Sequence, residues 1–196
     1  MKILNLLFLS TVIMGGGAFA HEEIPGVIAI SKATELAVHR IERLVTLKKI
    51  DATFQTALIG LRAESSSENG ATYKVYGYVS PGADGKSLTL TLWMDNQGKT
   101  LSYNVTQAQA PANPFVWPVK DSVTLMEEGL HFVLEGWVKN PEVKAFYLGL
   151  KSISMMPVKD AQGNLLAQFK VTSDDDARTL TINLKADGTF VSFDLN

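Results

Sequence analysis

Histidine is the usual base beside a catalytic nucleophile, and this chain has three: His21, His39 and His131. It has no cysteine, which excludes a thiolate nucleophile, a thiolate zinc site, an iron–sulfur cluster and a disulfide framework. No Gly-x-Ser-x-Gly, His-Glu-x-x-His or phosphate-binding glycine loop occurs. His39 falls on the polar side of one amphipathic segment and His131 beside Leu130 on another, and the internal correspondence described below does not equate them. Both read as solvated histidines. The chain is expected to be no enzyme and to need no cofactor.

Metal chemistry has three faint signals. Removal of a leader after Ala20 would expose His21 as an N-terminal residue, an amine–imidazole chelate that suits Cu(II), with Glu22 and Glu23 beside it. Copper handling at His21 is therefore the alternative function. Asp174-Asp175-Asp176 lacks the glycine and distal glutamate of a calcium loop and reads as a hairpin tip. Met155-Met156 before Pro157 reads as strand-end packing.

Binding residues are easier to find. Trp93 and Tyr147 near Arg62 and Lys151 are the residue types that anchor protein interfaces, and Lys170 and Lys185 share their alternation. The 196 residues carry 18 Lys and Arg against 20 Asp and Glu, a net charge of −2 that argues against a nucleic-acid partner. At 46% apolar and 19% charged, the composition is that of a globular protein. The partner is expected to be a protein or peptide.

The first twenty residues read as an export signal. Lys2 precedes an apolar run, three glycines break it, and Ala18-Phe19-Ala20 has the small-x-small form of a cleavage site. The run is too short to span a bilayer. The mature chain is expected to start at His21, to reach the periplasm or medium, and to have no membrane partner.

The remainder reads as one unit written twice. Leu58-Ile59-Gly60-Leu61-Arg62 recurs as Tyr147-Leu148-Gly149-Leu150-Lys151, 89 positions on. Leu88-Thr89-Leu90-Thr91-Leu92 recurs at 92 and Ser102-Tyr103-Asn104-Val105 at 90. Each copy opens with a helix. Ser31 caps the first, whose stripe is Ala33, Leu36, Ala37, Ile41, Leu44 and Val45, leaving Lys32, Glu35, His39, Glu42 and Arg43 on the polar side. Asp121 or Ser122 caps the second, with Met126, Leu130, Val133, Leu134 and Trp137 inward and Asn140-Pro141 ending it. Alternating segments follow, joined by Asp95-Asn96-Gln97-Gly98 and Asp187-Gly188 turns. The expected fold class is α+β: two tandem repeats, each one helix packed on one face of a four-stranded antiparallel sheet. The organisation is residues 1–20 signal, 21–106 first repeat, 107–118 connector rich in proline, and 119–196 second repeat.

A helix can cover one face of such a sheet and leave the other wet. Period two puts Leu58, Gly60, Arg62, Val75, Gly77, Thr89, Thr91, Trp93, Ser102 and Asn104 on the open face of the first copy. Tyr147, Gly149, Lys151, Gln168, Lys170, Thr181, Asn183, Lys185, Ser192 and Asp194 follow in the second.

The helix with spaced alanines, then Tyr73-Lys74-Val75-Tyr76, then Leu92-Trp93-Met94-Asp95-Asn96-Gln97-Gly98-Lys99-Thr100-Leu101, resembles the PepSY pattern. The second copy keeps Ala186-Asp187-Gly188-Thr189-Phe190 of it. The tandem plan is also similar to that of the β-lactamase inhibitor protein, whose cysteines are missing here. The PepSY resemblance implies a module outside the cytoplasm that inhibits or chaperones peptidases. It supplies no catalytic residues.

Overall fold

A computed structural model of the chain describes residues 26–80, 86–109 and 121–196. The signal segment, His21, Pro111, Pro114, Pro118 and the side chain of Trp137 lie outside the described residues.

Helix α1 (Ile30–Thr46) leads through a single turn α2 (Thr53–Thr56) into strands β1 (Leu58–Ser65), β2 (Tyr73–Val79), β3 (Lys86–Met94) and β4 (Thr100–Gln109). Helix α3 (Ser122–Lys139) and the turn α4 (Lys144–Leu148) precede β5 (Leu150–Lys159), β6 (Leu165–Ser173), β7 (Thr179–Lys185) and β8 (Phe190–Leu195). The expected pair of four-stranded sheets does not form. All eight strands make one antiparallel sheet in the order β4-β3-β2-β1-β5-β6-β7-β8. Gly60, Leu61 and Arg62 pair with Ser154, Ile153 and Ser152 at the central seam, which leaves neither inner strand with an open edge.

The helices share one core instead of serving one half each. α1 and α3 pack against each other on the same face of the sheet, and α3 reaches β1 as well as its own α4. Ser122 at the start of α3 is fully buried; its Oγ accepts from the Leu58 amide at 2.7 Å and donates to the Gln55 carbonyl at 3.2 Å. A single apolar cluster runs from Ala37, Ile41, Phe54, Leu61 and Leu92 to Leu130, Phe146, Ile153, Phe169 and Ile182. One continuous sheet follows from this, because either half alone would leave β1 or β5 with apolar residues and unpaired amides at its edge.

Register corrects several expectations. The opening residues of α1 and α3 lie 92 positions apart, as do those of β1 and β5 and those of β2 and β6, so the correspondence read at 89 is out of step. Ser31 is a buried residue within α1, whose cap is Ala29, whereas Asp121 caps α3 by accepting from the Thr124 amide at 3.1 Å. A bulge between Leu58 and Gly60 turns Leu58 into the core beside Leu61 and Ala63. Val75 and Gly77 also face the core, and a Cβ on Gly77 would lie 3.3 Å from Ile41 Cδ1. Lys74, Tyr76 and Tyr78 take the open face in their place. Met155 is buried and Met156 exposed, so the two thioethers lie on opposite faces of the sheet.

Candidate functional site

Among the described residues no helix crosses the face of the sheet opposite α1 and α3. Residues paired directly across antiparallel strands share a face, so the ladder fixes what this surface displays. Ser102, Trp93, Lys74 and Glu64 form one row, and Asn104, Thr91, Tyr76, Arg62, Ser152 and Thr172 the next. Tyr78, Gly60, Ser154, Lys170 and Thr181 form a third.

The first half of this face is an interlocked set of rings and cations. The Trp93 indole donates to Glu68 Oε2 at 3.1 Å, and Lys74 Nζ reaches the same oxygen at 3.0 Å. The Lys74 ammonium stands 5.4 Å from the Trp93 ring centre and 5.5 Å from that of Tyr76. Arg62 stands 6.0 Å from the Tyr76 ring, and Tyr76 and Tyr78 stack with centres 6.4 Å apart. The Tyr76 hydroxyl donates to Glu64 Oε1 at 2.7 Å, while Arg62 holds Glu64 Oε2 at 3.1 Å. Lys74 and Trp93, in that order, hold the Glu68 carboxyl below its ordinary range, and burial pushes the Tyr76 phenol up. Each aromatic is thus held on a strand by a named partner.

Beyond the seam the surface changes character. Gly60, Ser152 and Ser154 make a low floor, with Ser152 and Thr172 hydroxyls bonded at 2.7 Å. Past it, Gln168 donates to Asn183 at 3.2 Å and Asn183 to Ser192 at 3.1 Å, a polar ladder beside exposed Lys170 and Lys185.

Of the residues singled out from the sequence, Arg62, Trp93, Lys170 and Lys185 stand on the open face. Tyr147 does not: residues 144–148 coil into α4, and its ring packs against the core cluster on the helix side. Lys151 sits in the irregular start of β5 and pairs with Asp174 at 3.0 Å, at the end of the sheet. Tyr76, Tyr78 and Lys74 were missed, because Tyr73 on the opposite parity left the period-two pattern without a clear phase.

A second concavity of about 520 Å³ opens between the start of α1 and the ends of β1 and α4, lined by Val27, Ile30, Glu64, Thr72, Tyr73 and Leu150 among others. Three of its polar groups are already engaged: the Tyr73 hydroxyl donates to the Ile28 carbonyl, Asp174 holds Lys151, and Glu64 holds Arg62 and Tyr76. No helix among the described residues is long and apolar enough to cross a membrane. Comparison with protein-family models, curated proteins and solved structures returned no match for the chain.

Proposed function

We propose that this protein is an exported, non-catalytic module that holds a protein or peptide partner on the open face of its sheet. The observation that carries the reading is the Trp93–Lys74–Tyr76–Arg62–Tyr78 set. Trp, Tyr and Arg are the side-chain types that dominate binding energy at interfaces, and here they are fixed in advance on rigid strands with Lys74 between the rings of Trp93 and Tyr76. The low floor at Gly60 and Ser154 leaves room for a partner's side chains beside that set. Export rests on the leader read in residues 1–20, and the PepSY resemblance points to a peptidase or its substrate as the partner.

Trp93→Ala with Tyr78→Ser tests the proposal, because neither side chain belongs to the core cluster. The double variant is expected to unfold within a few degrees of the wild type and to lose the partner that the wild type retains from an extracytoplasmic extract. Undiminished retention of that partner would remove the reading.

A further inference from the structure

The two edges of the eight-stranded sheet are built differently. At one end β8 has only six residues, carries Asp194, and meets β7 through a bulge at Asn183–Leu184. The Phe132 ring of α3 packs on it, 5.1 Å from the ring of Phe190 and 5.3 Å from that of Phe193. Short length, a charge, a bulge and a covering helix are the means by which an edge is closed to further strands.

At the other end β4 has ten residues, Thr-Leu-Ser-Tyr-Asn-Val-Thr-Gln-Ala-Gln, with no charge and no proline. Its one irregularity lies at its start, where Trp93 faces Ser102 and Met94 faces Thr100; from Ser102 to Gln109 the ladder with β3 is regular. Among the described residues no strand lies on its other side, and every residue from Leu101 to Ala108 is exposed. Tyr103 and Val105 pair with the buried Leu92 and Leu90 and so stand on the core-side face, yet each is 38% exposed. An apolar row that ends uncovered on a straight, neutral edge is a template for one more strand.

Strand β4 is also its own complement. Turned about a two-fold axis through Asn104, it sets Tyr103 opposite Val105 of a second copy and Ser102 opposite Thr106. The first is an aromatic–β-branched pair and the second a hydroxyl pair, both favourable across antiparallel strands. This register runs from Thr100 to Ala108, keeps the irregular start away from the axis, and opposes no like charges because the strand has none. Opposed residues share parity, so Tyr103 and Val105 meet on the core-side face and Ser102, Asn104 and Thr106 on the open one. We propose that β4 pairs antiparallel with β4 of a second copy, joining two eight-stranded sheets into one. The closed edge at β8 stops growth at the dimer. The pairing does not depend on the proposed binding face, but it sets two such faces side by side, their β3 strands about 14 Å apart.

The test is sedimentation equilibrium of the mature chain across the micromolar range. Half-dimerisation at or below about 100 μM is expected, the strength of a small interface. Tyr103→Lys with Val105→Lys sets lysine against lysine twice and should weaken the dimer at least about tenfold, whereas Val191→Lys on β8 should leave it unchanged. Because the chain has no cysteine, single cysteines report the register. A short bis-maleimide should join Asn104→Cys chains, whose thiols meet at the axis, and not Ala108→Cys chains, whose thiols stand about 27 Å apart. That cross-link reads the pairing even if the two lysines disturb the strand. A chain that stays monomeric overturns the proposal, including one that takes up only a foreign extended peptide. So does a dimer that persists in the folded double-lysine variant, is lost in Val191→Lys, or is joined through position 108 and not 104.

Discussion

Glu35 and Tyr76 show what alternation cannot tell at the level of one residue. Glu35 falls on the polar side of a single apolar stripe, yet it is buried, because α1 has two covered sides: one against the sheet and one against α3. In Tyr73-Lys74-Val75-Tyr76-Gly77-Tyr78-Val79, aromatics occur at both parities, so the pattern does not say which set goes inside. The set that goes inside is the one with Val75, Gly77 and Val79, where Gly77 keeps Ile41 Cδ1 clear of a Cβ that would stand 3.3 Å from it. Trp93 and Arg62, by contrast, were legible because Thr89-Leu90-Thr91-Leu92-Trp93 has one clean apolar phase and Arg62 cannot be buried without a partner. Gly98 makes a sharper prediction. It takes φ +75° in the Asp95–Gly98 turn, and a Cβ there would lie 2.4 Å from Leu36 Cδ1. Gly98→Ala should lower stability by about 1–3 kcal/mol in denaturant melts, with the binding face unchanged. Acid should act at residues of the same kind. Asn164 and Thr189 side chains, with nearby amides, hold Asp160 and Asp187 below 3.8, and the Arg178 guanidinium does the same for Asp176. A carboxyl depressed by folding contributes stability above its ordinary value and loses it as pH falls toward the folded one. The melting temperature should therefore drop between about pH 5 and pH 3, and a flat or rising profile in thermal melts would contradict this.

The elements show where period alone misleads. Phe146, Tyr147 and Leu148 read as the start of a strand running to Lys151 but belong to α4, because Asn140 caps the turn at Pro141 and starts a helical run whose inward residue is Phe146. That is why Tyr147 leaves the open face. The cap at Asp121 was readable from its residue type, whereas the use of Ser122 was not: its hydroxyl serves a strand 64 residues earlier, a partner no local pattern names. Ser122→Ala would leave the Leu58 amide buried without an acceptor. A loss of about 1–3 kcal/mol is expected in chemical denaturation, and an unchanged midpoint would show that this tie between α3 and β1 is dispensable.

For the whole molecule, the turns, the order of the two long helices and every strand but β5 were legible, while the joining of all strands into one sheet was not. Joining depends on β1 pairing with β5 across 92 residues, and both strands read equally well as edges. Because α3 packs on β1 and one core spans the seam, far-UV circular dichroism and tryptophan fluorescence should report one coincident unfolding transition. Two separated transitions would mean that the halves stand alone. The most direct test of the functional account is photo-cross-linking in the producing cells, with benzoylphenylalanine placed at position 78 on the open face or at position 42 on the outer side of α1. Adducts to a partner from position 78 and none from position 42 are predicted. Adducts from position 42 alone would contradict the account.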